Sequence, residues 1–248
     1  MQNEPSIPRR LIAWLDPPES TYNLTRSIFL RALGFIYAIA FLSLNRQVLA
    51  LIGSNGILPA PLFLHHIELA INGTAWDGFL RLPSLFWYNC SDTALLLLSY
   101  LGLALSIAIL GGATNAVLMA GQWFLYMSFV HIGQLFYGYG WETMTLEAGF
   151  LAIFLCPIRS IRPNPSGYPA PKVVMWFYRW MLFRVMFGAG LIKIRGDECW
   201  RDLTCLAYHY ETQPIPNPIS WYLHHMPMGF HKAGCLFNHF CELIVPWF

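Results

Sequence analysis

Between Thr93 and Gly111 the chain carries no charged side chain, and the run approaches the roughly 20 apolar residues that a helix needs to cross hydrocarbon. Comparable apolar stretches recur at about 27–46, 116–136, 141–157, 173–194 and 230–248. Few soluble folds can absorb that many such runs. The chain is 56% hydrophobic and 11% charged, against roughly 25% charged in soluble domains. In lipid every backbone N–H and C=O must find an internal partner, which each helix achieves alone. The sequence therefore predicts an all-α fold, a polytopic membrane helix bundle of about five to six transmembrane helices.

The segments between the runs set the rest of the organisation. Residues 1–26 form a polar, Pro-rich head, in which 7–15 reads as a short interfacial helix with Trp14 on its apolar side. No cleavable signal peptide is visible, because the first apolar run begins near Ser27 without a small-residue cleavage site. Asn45 and Arg46 place the water boundary of the first span near that point, and Gly53-Ser54-Asn55-Gly56 is a turn signal. Segment 47–92 then contains two pieces, 61–72 and 76–89, that read as interfacial helices. Segment 158–172 is basic and Pro-rich, and segment 195–229, polar and aromatic, reads as an ordered loop at the membrane surface. The last run stops at Phe248, seventeen residues after Lys232 and so at the short limit for a span of roughly 30 Å. Pro246 weakens helix continuation there.

Charge placement orients the bundle. With the head on the cytosolic side, Arg9, Arg10, Arg26, Arg159, Arg162 and Lys172 lie in cytosolic segments, against Arg46, Arg81, Arg195 and Arg201 opposite. Segments 47–92 and 195–229 are then extracytoplasmic. The net charge of +2, without a Lys/Arg run interleaved with aromatics, excludes a nucleic-acid surface.

The junction at 188–214, GAGLIKIRGDECWRDLTCLAYHYETQP, concentrates the candidate functional residues. Lys193 ends an apolar run, where it is either a base, with burial lowering its proton affinity, or a side chain snorkelling to water beside Arg195. Arg195, Asp197, Trp200, Arg201, Asp202, His209, Tyr210 and Glu211 form the candidate functional segment after it. Glu147 and Arg184 stand at similar depths on adjacent antiparallel spans, which predicts a buried ion pair serving structure rather than chemistry. Asn238, His239 and Glu242 make the last span polar. Cys199 and Cys205 lie six apart on the oxidising side and predict a disulfide, whereas Cys156, Cys235 and Cys241 fall within spans as small apolar residues. His209, Glu211, His224, His225 and His231 show no metal spacing, so neither a metal nor another cofactor is expected. No Ser-His-Asp or GxSxG pattern points to a lipase active site.

Three blocks carry a family likeness: YGWETMTLEAGFLAIFLCP, then RWMLFRVMFGAGLIKIRGDECWRDLTCLAYHYETQPIPNPISWYLHHMP, then LFNHFCELIVP, with FLRALGFIYAIAFLSL and GSNGILP near the start. The chain resembles the lipase maturation factor family from Ile28 to its end. That resemblance implies a multi-span protein of the endoplasmic reticulum membrane, or of the inner membrane in a bacterium. It also implies a client protein such as a secreted lipase, whose folding and assembly it assists without being an enzyme. Family proteins continue into a large soluble lumenal domain, absent from these residues, so the chain reads as a fragment or a short relative that forms the membrane scaffold. A more distant similarity, Ala189-Gly190-Leu191-Ile192-Lys193, points to the membrane domain of vitamin K-dependent gamma-carboxylase. It implies the alternative of a membrane enzyme with Lys193 as base.

Overall fold

The computed structural model describes residues 22–161, 169–213 and 217–248. The polar head through Thr21, including the 7–15 helix and Trp14, lies outside the described residues, as does the middle of the basic segment around Arg162. All regular elements among the described residues are helices. They group into two compact units, one ending at Val174 and one beginning at Met175.

In the first unit, α1 (Asn23–Ile52) runs straight through Asn45 and Arg46 and ends where Gly53 donates its N–H to the carbonyls of Val48 and Leu49. Helices α2 (Ala60–Ile71) and α3 (Ala75–Arg81) follow at the two positions read as interfacial. Next come α4 (Asp92–Leu110), capped by Ser91 accepting from Ala94 N–H, and α5 (Ala116–Ile132), capped by Asn115 accepting from Val117 N–H. Helix α6 (Gly140–Leu155) completes the unit. The Asn115 amide also donates to the carbonyls of Ile158 and Ser160, tying the start of α5 to the chain leaving α6.

Helices α1 and α4 are long and apolar enough to cross a membrane, and only 39% and 28% of their most apolar stretches are buried against protein. Phe35, Ile36 and Ile39 on α1 and Leu97, Leu101 and Ile107 on α4 stay exposed. An apolar surface of that kind belongs against lipid. The two helices approach closely because Gly34 lies against the backbone of Ile109 and Leu110, and Gly102 lies under the Phe41 ring. Small residues let backbones meet where no hydrophobic gain drives association in lipid. Asn45 explains why α1 continues past its polar pair: its amide donates to Ser99 Oγ on α4 at 2.8 Å. Such a bond contributes about 0.6 kcal/mol in a membrane, so packing at the glycines dominates.

Inside this unit Tyr37, Phe41, Phe86, Tyr126 and Phe129 meet edge to face, with centroids 4.8–6.0 Å apart. Gln122 on α5 donates to Ser106 on α4, which donates to the Gly102 carbonyl. Segment 47–92 is pinned to the end of α5: the Ser84 hydroxyl donates to Ser128 O, His131 Nδ1–H to Pro83 O, and the Gln134 amide to Leu58 O. Glu142 is 2% exposed.

Candidate functional site

The second unit contains most of α7 (Lys172–Gly196), then α8 (Glu198–Arg201), α9 (Cys205–Thr212), α10 (Ser220–His224) and α11 (Met228–His239). A π turn (Phe240–Ile244) and a 3-10 turn (Val245–Trp247) with Pro246 in its first positions end the chain. Segment 195–229 is therefore largely helical rather than an ordered loop. Asp197 makes this possible locally, since its carboxylate accepts the Cys199 N–H at the start of α8.

Lys193 organises the unit. Its ammonium donates to Asn238 Oδ1 at 2.8 Å and to Glu242 Oε1 at 2.5 Å, and lies 4.8 Å from the centroid of the Trp200 ring. An ammonium has three N–H directions and no acceptor; here an amide, a carboxylate and an indole face take them. Protein groups thus engage the ammonium directly. Lys193 and Glu242 side chains are 27% and 13% exposed, and the pair is held by packing behind it. Gly190, one helical turn before Lys193, is so near the π turn that a Cβ there would stand 2.6 Å from Leu243 and 3.1 Å from the Glu242 Cβ. Another turn back, Phe187 and Phe183 receive the edge of Trp247 at 5.4 and 4.9 Å.

His239 joins the cluster from the other side. Its Nε2–H donates to the Trp200 carbonyl at 3.0 Å, and the two rings meet at 5.9 Å. Thus Lys193, Trp200, Asn238, His239 and Glu242, flagged separately in the sequence, form one constellation. It retains two buried acceptors without partners among the described residues, Glu242 Oε2 and His239 Nδ1. A lysine base needs a free lone pair on Nζ, whereas these contacts engage its protons.

The remaining predicted residues lie apart from the cluster. Arg195 and Asp202 are exposed, and Arg201 pairs with Glu198 at 3.4 Å on the surface. His209 bonds Gln213, Tyr210 lies 5.9 Å from the His231 ring, and Glu211 faces His224 at 3.6 Å. Glu147 belongs to the first unit and Arg184 to the second. Cys199 and Cys205 are joined, with Cα atoms 4.7 Å apart. With Asp197 they are the three-ligand grouping found among the described residues, but joined sulfurs offer no thiolate, so the set does not fit a metal ion.

Two further residues escape a sequence reading. His224 donates from Nδ1 to the Ala207 carbonyl while accepting His231 Nε2–H at its own carbonyl. These contacts bind α9, α10 and α11 together. Sequence spacing tested these histidines only as ligands, and a side chain's bond to a distant backbone carbonyl leaves no periodic trace.

Comparison with known proteins fits this architecture. Residues 24–248 match the family profile described as the lipase maturation factor transmembrane domain. The chain is 49% identical over 233 residues to Lipase maturation factor 1 of Bos taurus, covering 92% of this chain and 42% of that protein. It is 47% identical to Lipase maturation factor 1 of Homo sapiens, with 92% and 41% covered. Lipase maturation factor 2 of Xenopus laevis is 36% identical, with 91% and 33% covered. The chain thus spans less than half the length of these relatives, and no solved structure matches it. A profile match over nearly its whole length, together with these identities, establishes that the chain belongs to the lipase maturation factor family.

Proposed function

We propose that this chain is the membrane-embedded part of a factor that assists the folding and assembly of secreted lipases. The observation that carries the reading is the 49% identity to Lipase maturation factor 1 of Bos taurus over 92% of the chain. In this reading five to six helices cross the bilayer, α1, α4, α5, α6, α7 and a shorter last one. The protein resides in the endoplasmic reticulum membrane, with segments 47–92 and 195–229 on the lumenal face. The Lys193 cluster then acts as a clasp that fixes α8 and the segment after it in a defined position from which a client lipase is engaged. The three contacts of Lys193 support that structural role over a base role.

The experiment is a chimera in which this chain replaces the matching portion of the bovine relative, expressed in cells that lack their own factor. Secretion of active lipase into the medium is the expected result. A chimera that is folded, resident in the membrane and inert in secretion overturns the reading.

A further inference from the structure

Asn-x-Ser/Thr sequons stand at Asn23, Asn72 and Asn89, and they occupy very different surroundings. Asn72 caps the C-terminus of α2 in the left-handed region, at φ 48° and ψ 40°. Its side chain is exposed, and its carboxamide makes no hydrogen bond among the described residues. In sequence it is equidistant from Ile52, the end of α1, and Asp92, the start of α4. It is therefore as far from either membrane-length helix as segment 47–92 allows. Thr74, two residues on, is exposed, and its N–H and hydroxyl both donate to Asp77 Oδ2 at 2.8 Å. The turn between α2 and α3 is thus ordered through its backbone, the Asn72 N–H donating to Leu69 O, and through Asp77, while the Asn72 side chain takes no part in holding it.

The other sequons lack these properties. Asn89 accepts the Ser91 N–H through its side-chain oxygen, and Ser91 in turn caps α4. It sits directly against the start of a membrane-length helix. Asn23 begins α1, so that helix separates it from Asn72, and its side-chain oxygen accepts from Arg26. If α1 crosses the bilayer, Asn23 and Asn72 face opposite compartments.

From this we infer that Asn72 is an N-glycosylation site, taking one oligosaccharide from a polyprenyl-diphosphate donor. In the transfer the carboxamide nitrogen attacks the anomeric carbon, and the sugar C–O bond to the diphosphate breaks. The electron pair leaves with the diphosphate and the amide gives up one proton, so an N–C glycosidic bond replaces one N–H. The glycan is attached to the emerging chain, and the folded protein accommodates it because Asn72 points to open space. It then covers the outer face of the α2–α3 turn. The inference rests on the proposed lumenal side of segment 47–92.

The test is expression of the whole chain in mammalian cells and digestion with an amidase that removes N-glycans. The expected result is a mobility shift of one glycan that is lost in Asn72→Gln and Thr74→Ala, kept in Thr74→Ser, and unchanged in Asn89→Gln and Asn23→Gln. A shift lost only in Asn23→Gln overturns both the site and the orientation. Asp202→Asn places a new acceptor before Leu203 and Thr204 in segment 195–229. A shift from that variant in a chain otherwise unmodified overturns the Asn72 assignment and leaves the orientation standing. No shift from either overturns both.

Discussion

Lys193 on α7 and Glu242 in the terminal π turn, 49 residues apart, meet at 2.5 Å. Their contact closes the second unit as a clasp. A salt bridge with both partners largely covered returns its desolvation cost only when the remaining donors and acceptors are also served. For Lys193 they are, through Asn238 and Trp200, whereas Glu242 Oε2 finds no partner among the described residues.

Glu242→Ala leaves the lysine charge half-buried and should destabilise the protein by about 3 kcal/mol. Lys193→Met combined with Glu242→Leu should lose clearly less than the sum of the single variants. Denaturant unfolding in detergent, read by Trp200 fluorescence, measures the coupling. Additive losses would show that the pair contributes nothing as a pair.

At Gly102 the Phe41 ring occupies the space a side chain would fill. Gly102→Val should push α1 away from α4 and cost about 1–3 kcal/mol through overpacking. Phe41→Ala in the same chain should recover part of that loss. Thermal unfolding of the three variants in one detergent gives the comparison.

Hydrogen bonds from the Thr74 backbone and hydroxyl hold the Asp77 carboxyl below the usual carboxylate range, with Arg81 adding to the effect. The sign follows directly. A depressed folded value means that Asp77 stabilises the start of α3 above its unfolded value, roughly pH 4, and that this contribution is lost as pH falls through the depressed folded value. Protection of the amides at residues 75–81, relative to their intrinsic exchange at each pH, should fall below that window, and in Asp77→Asn it should be low already at pH 6.

Cys199 and Cys205 bracket Trp200. Their bond closes a short loop, which stabilises by about 2–3 kcal/mol at most. Cys199→Ser should release the α8 turn, and the Trp200 emission should shift towards that of a hydrated indole. An unchanged spectrum would mean that His239 and Lys193 hold the indole without the bridge.

The helical fold was legible because apolar runs and Gly or Pro breaks are local signals, and α1, α4, α5 and α6 fall on the runs that mark them. The site was legible only in pieces. Lys193, Trp200 and Glu242 each stood out as polar or aromatic residues in unusual places, but the sequence did not say that they meet. Their meeting depends on Gly190 allowing close approach and on a π turn that no residue pattern announces. Segment 195–229 read as a loop because its charges and prolines outweigh short helical periods. Asp197 capping α8 and His224 bracing α9 through α11 are contacts that make short helices viable. Asn45 likewise read as a boundary because its partner, Ser99, lies far along the chain.

The π turn at Phe240–Ile244 lets one helix face keep two appointments on α7. Asn238 and Glu242 meet Lys193 before and within the wide turn, while Trp247, just beyond it, still reaches Phe183 and Phe187. An α-helix advances about 100° per residue, so removing one residue from the turn would restore regular winding and rotate everything downstream by that angle. Trp247 would swing off its aromatic seat while the ammonium kept its carboxylate. The extra residue is a phase adjuster, and the spacing between the charged clasp and the aromatic seat is set by it.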